Sequence, residues 1–285
     1  MHLDWVESAG AQHDPEGLAL IDAIWGDDKR AKVASIRPGA EGCDCWMSVS
    51  GPREPMRHGL QDLVGRIMPM EKIWLVRWLL GRWPRGRIVA TVPLSVGTTK
   101  TTLGIIAPLM PTRIALSQSP VPFDSATVSH FKALHESFDQ PGLLGCRLTL
   151  EDERVTQLSG RWEARLDVLD GVFSHWGLGE QAELARTLVQ GLSEGLSERP
   201  SLAIEATYDP TPTPQLTLEL GPLPVRSVLQ LQSHVTSVES ARSVAAAAKL
   251  LRKKQAFRVA IAIGPEGIES ITTMLAIGPE PRGSW

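Results

Sequence analysis

Hydrophobic and polar residues alternate along the segment from Ser201 to Gly221, which reads SLAIEATYDPTPTPQLTLELG. Apolar residues occupy every second position from 202 to 206, and leucine does so again from 216 to 220. Alternation with period two is typical of strands that have one apolar and one polar face. The prolines between 209 and 214 cannot continue a ladder, because proline lacks the amide hydrogen. The segment therefore predicts a β-hairpin.

The same unit, a pair of strands beside a helical pattern, occurs five times. The first strands begin near residues 32, 87, 146, 201 and 257, so successive starts are 55, 59, 55 and 56 residues apart. A fixed spacing of this size indicates a repeated supersecondary unit. The predicted units lie near 14–50, 58–107, 122–164, 166–220 and 225–278, with loose ends at 1–13 and 279–285. We expect one domain over residues 1–285.

Helical patterns precede the first hairpin and separate the others. Asp14-Pro15 favours a helix start, because Asp is a good cap and Pro suits the first helical position. The remaining patterns cover 58–82, 124–138, 166–196 with an interruption near 177–179, and 225–254. A short extra strand is expected at 112–117.

The predicted fold class is α/β (α+β), with five helix–β-hairpin units forming a ten-stranded antiparallel barrel and the helices outside. Consecutive hairpins favour antiparallel pairing, and closure removes the edge strands. An open sheet with helices on one side would satisfy the same alternation and would leave the polar face in solvent. A five-fold pentein-type propeller is a further alternative. The enzymes of that family generally need a reactive cysteine near the C-terminus, and here Cys146 is the last cysteine.

In the barrel, the apolar face would meet the helices and the polar face would line the lumen. The apolar face holds Val33, Ile88, Val92, Leu148, Leu150, Leu202, Ile204, Val259, Ile261 and Ile263. First strands would give the lumen Lys32, Arg87, Thr91, Arg147, Thr149, Glu205, Thr207 and Arg258. Return strands would add Ser48, Lys100, Thr102, Gln157, Ser159, Arg161, Glu163, Gln215, Thr217, Glu219 and Thr272. Trp46 and Trp162 are expected to point towards the helices. Because buried charges are costly unless paired or used, this set predicts a wet cavity with a cationic and an acidic part.

Composition and charge argue against several classes of protein. The 285 residues are 42% hydrophobic, which is ample for a buried core, and the net charge of −3 argues against wholesale nucleic-acid binding. Three cysteines give no disulfide framework and favour a reducing compartment. The N-terminus shows no signal-peptide core, and the most apolar run, 73–80, is too short to span a bilayer and contains Arg77. We expect a soluble cytoplasmic protein.

Five consecutive units of helix and strand pair, with a period near 55 residues, resemble the ABBA aromatic prenyltransferases, also called the PT-barrel family. The resemblance covers roughly 14–278 and rests on architecture. It implies transfer of an isoprenoid from its diphosphate to an aromatic small molecule or peptide side chain inside the barrel. It implies no metal and no cofactor, because that family lacks an Asp-rich metal motif.

By strand position, the resemblance assigns the diphosphate-binding role to a set of inward cations. These are Lys100, Arg161, Arg87, Arg147 and Arg258. Lysine and arginine suit a diphosphate, arginine by bidentate contacts. Glu205, Glu219 or Glu163 would be the catalytic carboxylate, which assists as a general base when the ring attacks the carbocation. That family also shields the cation with inward tyrosines, whereas this chain has a single tyrosine, Tyr208, at a turn.

Two functions therefore remain beside catalysis: a non-catalytic ligand-binding barrel and a protein-interaction scaffold. The Trp-rich helix 58–82 would be the docking surface of the scaffold if it is exposed, although core packing explains Trp74 and Trp78 most simply. Cys43 and Cys45 are expected to be buried or inert, because zinc sites normally show two spaced pairs of ligands. His130 and His135 are five apart and do not share a helix face at metal-ligand spacing. The segment 264–267 is expected to be a turn.

Overall fold

The computed structural model describes residues 4–15, 17, 32–39, 42–52, 87–95, 102–108, 129, 133, 136, 138, 143–149, 154–194, 196–197, 200–208, 215–235 and 237–277. Several predicted features lie outside the described residues. They are the helix at 58–82, the strand at 112–117, most of the helices at 14–26 and 124–138, Lys100, His130, His135 and the tail at 279–285.

The five predicted hairpins are confirmed. Their first strands begin at residues 32, 87, 143, 201 and 258, so the predicted starts are right to within three residues. The strands are β1 (Lys32–Pro38), β2 (Cys43–Pro52), β3 (Arg87–Pro93), β4 (Thr102–Pro108), β5 (Leu143–Thr149), β6 (Arg154–Glu163), β7 (Ser201–Tyr208), β8 (Leu216–Gly221), β9 (Leu223–Pro224), β10 (Gln255–Ala256), β11 (Arg258–Gly264) and β12 (Gly267–Ile277). The short strands β9 and β10 were not predicted, and they pair with each other in a separate two-stranded sheet.

The ten longer described strands form one antiparallel sheet in the order β1-β12-β11-β8-β7-β6-β5-β4-β3-β2. Strand β1 pairs with both β12 and β2, so the order returns to its starting strand. The mixed α/β class and the large antiparallel sheet are therefore confirmed. Each hairpin pairs with the next along the chain, and the last hairpin pairs with the first.

The described helices are α1 (Asp4–Ser8), α2 (Leu169–His175), α3 (Ala182–Ser193), α4 (Val225–Val235) and α5 (Val238–Leu250). The predicted interruption of 166–196 is confirmed between α2 and α3, where Gly177 has a φ of +76° that suits glycine. The pattern at 225–254 was expected to be one helical stretch, but it folds as two helices that end by residue 250.

The described helices cover the apolar face of the sheet. Ile204, Leu218 and Ile261 occupy neighbouring strands and are fully buried. Gln232 of α4 is also fully buried and donates a hydrogen bond to the hydroxyl of Thr273 on β12, at 3.0 Å. Helices and apolar strand residues thus form one core, as the alternation predicted. Within the described residues, no helix is both long and apolar enough to cross a membrane.

The prediction of a loose N-terminal end at 1–13 is wrong for residues 4–13. Helix α1 packs against α5, and its Trp5 and Val6 are fully buried. The amide of Asp14 donates to the carbonyl of Leu94 at 2.7 Å, and His13 bridges to Ser95. Periodicity missed this element because five helical residues make little more than one turn, and one turn shows no repeat.

Candidate functional site

Directly paired residues on antiparallel strands project to the same side of a sheet, so the register shows which side chains share the polar face. Arg161 of β6 pairs with Glu205 of β7, and Glu205 pairs with Thr217 of β8. The next row on this face runs through Glu163, Ala203, Glu219, Ala260 and Thr272. The structure thus brings all three predicted catalytic carboxylates together on β6, β7 and β8.

Glu219 is at the centre of a buried ionic cluster on this face. Its Oε2 accepts a hydrogen bond from Nε of Arg161 at 2.5 Å and one from a guanidinium nitrogen of Arg258 at 3.2 Å. The three residues are only 6% to 9% exposed. A carboxylate shared by two buried guanidinium groups satisfies the rule that buried charges are paired. The cluster fixes all three side chains.

Two further carboxylates lie beside this cluster. Glu205 is half-buried and Glu163 is exposed, and both act on Arg258 electrostatically. Three carboxylates and two guanidinium groups leave this patch with a net charge of −1. Burial lowers the pKa of Arg258, and the charge of Glu219 partly offsets that effect. The prediction placed cationic and acidic groups in separate parts of the lumen, but the described residues hold both in one patch.

A third row of the polar face continues from Arg258 onto the first hairpin. Arg258 pairs with Met274, Met274 with Ser35, and Ser35 with Trp46. Trp46 therefore lies on the polar face, and the prediction that it points towards the helices is wrong. Trp46 and Ser48 alternate with Cys45 and other buried residues, so both belong to one face.

The face predicted for β1 is also wrong. Val33 pairs with Ser48 on the polar face, whereas Lys32 pairs with Val49 and lies on the opposite face. Residues 33 to 36 are all buried, so β1 shows no contrast between its faces. Alternation cannot assign a face to a strand that is buried on both sides. Trp162, by contrast, is fully buried on the helix side as predicted, with its ring stacked on Phe138 at 5.1 Å.

The ring of Trp46 contacts a cationic side chain. The guanidinium carbon of Arg37 lies 5.4 Å from the centre of the Trp46 ring, within the range of a cation–π interaction. Arg37 also donates to the carboxylate of Asp44 across the hairpin at 2.6 Å. These contacts hold one aromatic surface on the polar face. The ring is half-buried, so part of it stays accessible.

The other predicted cations cannot be placed from side-chain geometry. Arg87 is on β3 opposite Ile106, and Arg147 is on β5 opposite Gly104, but their side chains lie outside the described part, as does all of Lys100. The diphosphate role of these three residues stays a prediction.

The described residues contain no group of three or more His, Cys, Asp or Glu that could hold a metal ion. Cys43 and Cys45 are buried on the helix side and free of disulfides, as expected. Burial, and secondarily the charge of Asp44, raises the pKa of Cys43 to about 11. Burial also raises the pKa of Cys45. Both thiols are therefore protonated and unreactive near neutral pH. Residues 265 and 266 form the expected turn between β11 and β12.

Sequence reasoning missed two features near the site. Trp46 was assigned to the wrong face, although its separation of two residues from Ser48 carried the needed signal. Lys253 was not assigned to any site, but it lines a cavity next to Arg258. No sequence signal identified that cavity, because it forms only where four strands and the segment after α5 meet.

No protein-family model matches the chain, and no curated protein matches it in sequence. Several solved structures do match. A 6-dimethylallyl tryptophan synthase superposes with a TM-score of 0.63 at 14% identity, over 98% of this chain and 96% of that one. The chain has the fold of the ABBA aromatic prenyltransferases.

Two further structures with the PT-barrel fold agree. The 6-dimethylallyltryptophan synthase from Micromonospora olivasterospora, solved in complex with DMASPP and Trp, gives a TM-score of 0.62 at 14% identity, over 97% of this chain and 96% of that one. The 5-dimethylallyltryptophan synthase from Streptomyces coelicolor gives 0.57 at 13% identity, over 95% and 93% of the two chains. The predicted resemblance to the PT-barrel family is therefore confirmed at the level of the fold.

Proposed function

We propose that this chain is an aromatic prenyltransferase, which transfers an isoprenoid from its diphosphate to an aromatic small molecule or peptide side chain without an obligatory metal. The carrying observation is the nearly full-length likeness to prenyltransferases, one of them solved with DMASPP and Trp. Fold alone does not determine a reaction. The polar face adds support, because it places three carboxylates and an accessible tryptophan ring on strands that would enclose the substrates.

The reaction is an electrophilic aromatic substitution. The allylic C–O bond breaks, and its electron pair leaves with the diphosphate. The π electrons of the acceptor ring form the new C–C bond, and the ring carbon then loses its proton to a base. The protein must therefore stabilise an anionic leaving group, exclude water from the carbocation and provide a carboxylate near the acceptor.

The three carboxylates are not equally suited to act as the general base. Glu219 is buried, and two guanidinium groups already donate to its Oε2, so this carboxylate is engaged inside the cluster. Glu205 lies directly opposite Arg161 on the neighbouring strand, and Glu163 lies two residues from Arg161 on the same strand. Both are more exposed than Glu219. We assign proton removal or acceptor binding to Glu205 or Glu163, and we assign to Glu219 the task of positioning Arg161 and Arg258.

The diphosphate needs a cationic surface, and the described patch is net negative. The assignment therefore depends on Lys100, Arg87 and Arg147 adding positive charge to that of Arg161 and Arg258. In this arrangement the acidic patch on β6 to β8 binds the acceptor, and the remaining strands hold the leaving group. The hollow lumen that this requires, and a cytoplasmic location, belong to the proposal.

A non-catalytic ligand-binding barrel is the second candidate. The hydrogen bonds from Arg161 and Arg258 to Glu219 favour it, because this pairing reduces the positive charge that the two arginines offer to a diphosphate. This barrel would bind an aromatic ligand against Trp46 without chemistry. The scaffold alternative depends on the helix at 58–82, which lies outside the described residues.

The test is incubation of the full chain with dimethylallyl diphosphate and tryptophan, indole or phenol acceptors, analysed by mass spectrometry for addition of one isoprenoid unit. Glu205→Gln and Glu163→Gln are the test variants, and Glu239→Gln, on the exposed surface of α5, is the matched control. Loss of a general base typically costs about 10²- to 10⁴-fold in rate, so one test variant should fall by that amount while the control keeps full activity. Aromatic ligand binding without any product would support the binding barrel and refute catalysis.

A further inference from the structure

A cavity of about 150 Å³ lies at the end of the sheet where β7 and β11 begin and where β8 and β12 end. Its walls include Ser201, Gly221, Lys253, Phe257 and Arg258. A water molecule takes about 30 Å³ in the liquid, so this volume is enough for a carboxylate or phosphate group with a short stem. The cavity therefore has the size of a small functional group and is too small for a whole prenyl chain and acceptor.

Two cationic side chains line this cavity. Lys253 is half-buried, and no carboxylate of the described residues pairs with its ammonium group. Arg258 is only 8% exposed, and its guanidinium carbon lies 5.1 Å from the centre of the Phe257 ring. Burial lowers the pKa of Arg258, and the charge of Glu219 offsets part of this effect.

Gly221 lets the end of β8 approach the backbone of β11 closely beside the cavity. It follows Leu220, which pairs with Val259, so it lies next to Arg258 across the β8–β11 ladder. A Cβ at Gly221 would come within 2.3 Å of the Phe257 carbonyl oxygen and 3.0 Å of the Arg258 Cα. Real side chains do not tolerate such approaches, so the strand ends without one. The missing side chain therefore allows the two strands to meet closely at the wall of the cavity.

The charged hydrogen-bond donors in the cavity are Lys253 and Arg258, and the side-chain amide of Gln255 is a neutral donor in the same lining. The hydroxyl of Ser201 donates to the carbonyl of Gly221 at 2.7 Å, which occupies its only hydrogen. Lys253 provides three N–H donors, and Arg258 donates through the N–H groups in the plane of its guanidinium. The exposed Arg252 and Lys254 flank Lys253 and raise the positive potential at the entrance. This is the chemistry that recognises an oxyanion.

We propose that this cavity binds the oxyanion group of a small ligand, a carboxylate or a phosphate, between Lys253 and Arg258. The site differs from the carboxylate row proposed for catalysis, because Lys253 lies after α5, outside the ten-stranded sheet. It shares Arg258 with the cations proposed for the diphosphate, whereas Lys253 has no part in the proposed reaction, so the site would exist equally in a binding protein. A ligand held here would have its anionic end at the rim and the rest of its body directed past Arg258 towards Glu219.

The test is isothermal titration calorimetry of the full chain with sodium phosphate, pyrophosphate and acetate, each at the same constant ionic strength. The test variant is Lys253→Gln, and the matched control is Lys254→Gln, one residue away and exposed. We expect saturable binding of at least one probe, weakened about tenfold or more in K253Q because a charge-assisted hydrogen bond is lost, and unchanged in K254Q. Circular dichroism checks that both variants fold.

The probes distinguish the two ligand sources. Tighter binding of phosphate or pyrophosphate than of acetate identifies a phosphate ligand, and comparable acetate binding identifies a carboxylate. Absence of saturable binding for every probe would overturn the proposal, as would binding that K253Q leaves as strong as K254Q does. Neither result affects the test for prenyl transfer, which measures product.

Discussion

Replacing Glu219 by glutamine removes the negative charge that Arg161 and Arg258 share. The two guanidinium groups are 9% and 8% exposed, so water replaces that charge poorly. Unit charges 4 Å apart interact by about 4 kcal/mol at an effective dielectric constant of 20, so the two pairs together contribute roughly 8 kcal/mol. The penalty of several kcal/mol for burying the carboxylate disappears in the variant. The net loss should therefore be about 3–5 kcal/mol, as for other broken buried pairs.

Glutamine still offers an oxygen to one arginine, so the expected loss for E219Q is near 3 kcal/mol. For a chain of this size, roughly 2–4 °C of melting temperature corresponds to 1 kcal/mol, which gives a decrease of roughly 6–12 °C. Urea unfolding followed by tryptophan fluorescence provides the free energy of unfolding. Buried pairs are weakly screened, so the decrease should persist at high salt.

Glu163→Gln is the matched control, since Glu163 lies on the same face, two residues from Arg161, and is exposed. It should change the free energy of unfolding by no more than about 0.5 kcal/mol. If E219Q and E163Q unfold within 1 kcal/mol of each other, Glu219 does not hold the cluster together, and the assignment of a positioning role to it is wrong.

Three other changes test the fold. Trp162→Ala should cost about 3–5 kcal/mol in urea unfolding, because it removes a fully buried ring stacked on Phe138; a smaller loss than for an exposed-site variant would contradict that packing. Gly267→Ala should cost about 1–3 kcal/mol through strain at φ +115°, although the nearest atom to the new Cβ, a Leu184 methyl, is 3.9 Å away; an unchanged melting temperature would exclude that backbone conformation. The raised pKa of Cys43 means that the folded thiol keeps its proton while the unfolded thiol ionises, so stability should fall as pH rises from 9 to about 11, and Cys43→Ala should flatten that slope.

The sequence predicted the five hairpins because each strand pair carries its own signal. The alternation in Ser201–Tyr208 and Leu216–Gly221 and the prolines between them are local features, and the spacing of the repeats needs no partner strand. Antiparallel pairing of each unit with the next follows from short connections. These are the levels at which sequence and structure agree.

The assignment of side chains to the two faces of the sheet failed where neighbouring residues of a strand do not differ in burial. Strand β1 is buried on both faces, so nothing in KVASIRP distinguishes Val33 from Ala34. Trp46 was misassigned because the alternation was applied to it with the wrong parity: Ser48, two residues further on, had been placed on the polar face. The bonds from Arg161 and Arg258 to Glu219 depend on side chains from β6, β8 and β11, which are distant in sequence. Parity predicted that these residues share a face, but only the register shows which charges meet.

The pairing of β1 with β12 has a consequence for biosynthesis. Lys32 pairs with Ile277, so one side of β1 has no partner until 245 more residues leave the ribosome. At typical translation rates of 5–20 residues per second, that edge waits roughly 10–50 s as a template for association with other nascent chains. A premature stop codon before β12 would leave this edge of β1 exposed permanently. It would also leave β11 without its partner β12, so that the sheet would have a second unpaired edge. Such fragments should aggregate, even though every residue of the charged cluster is present in them.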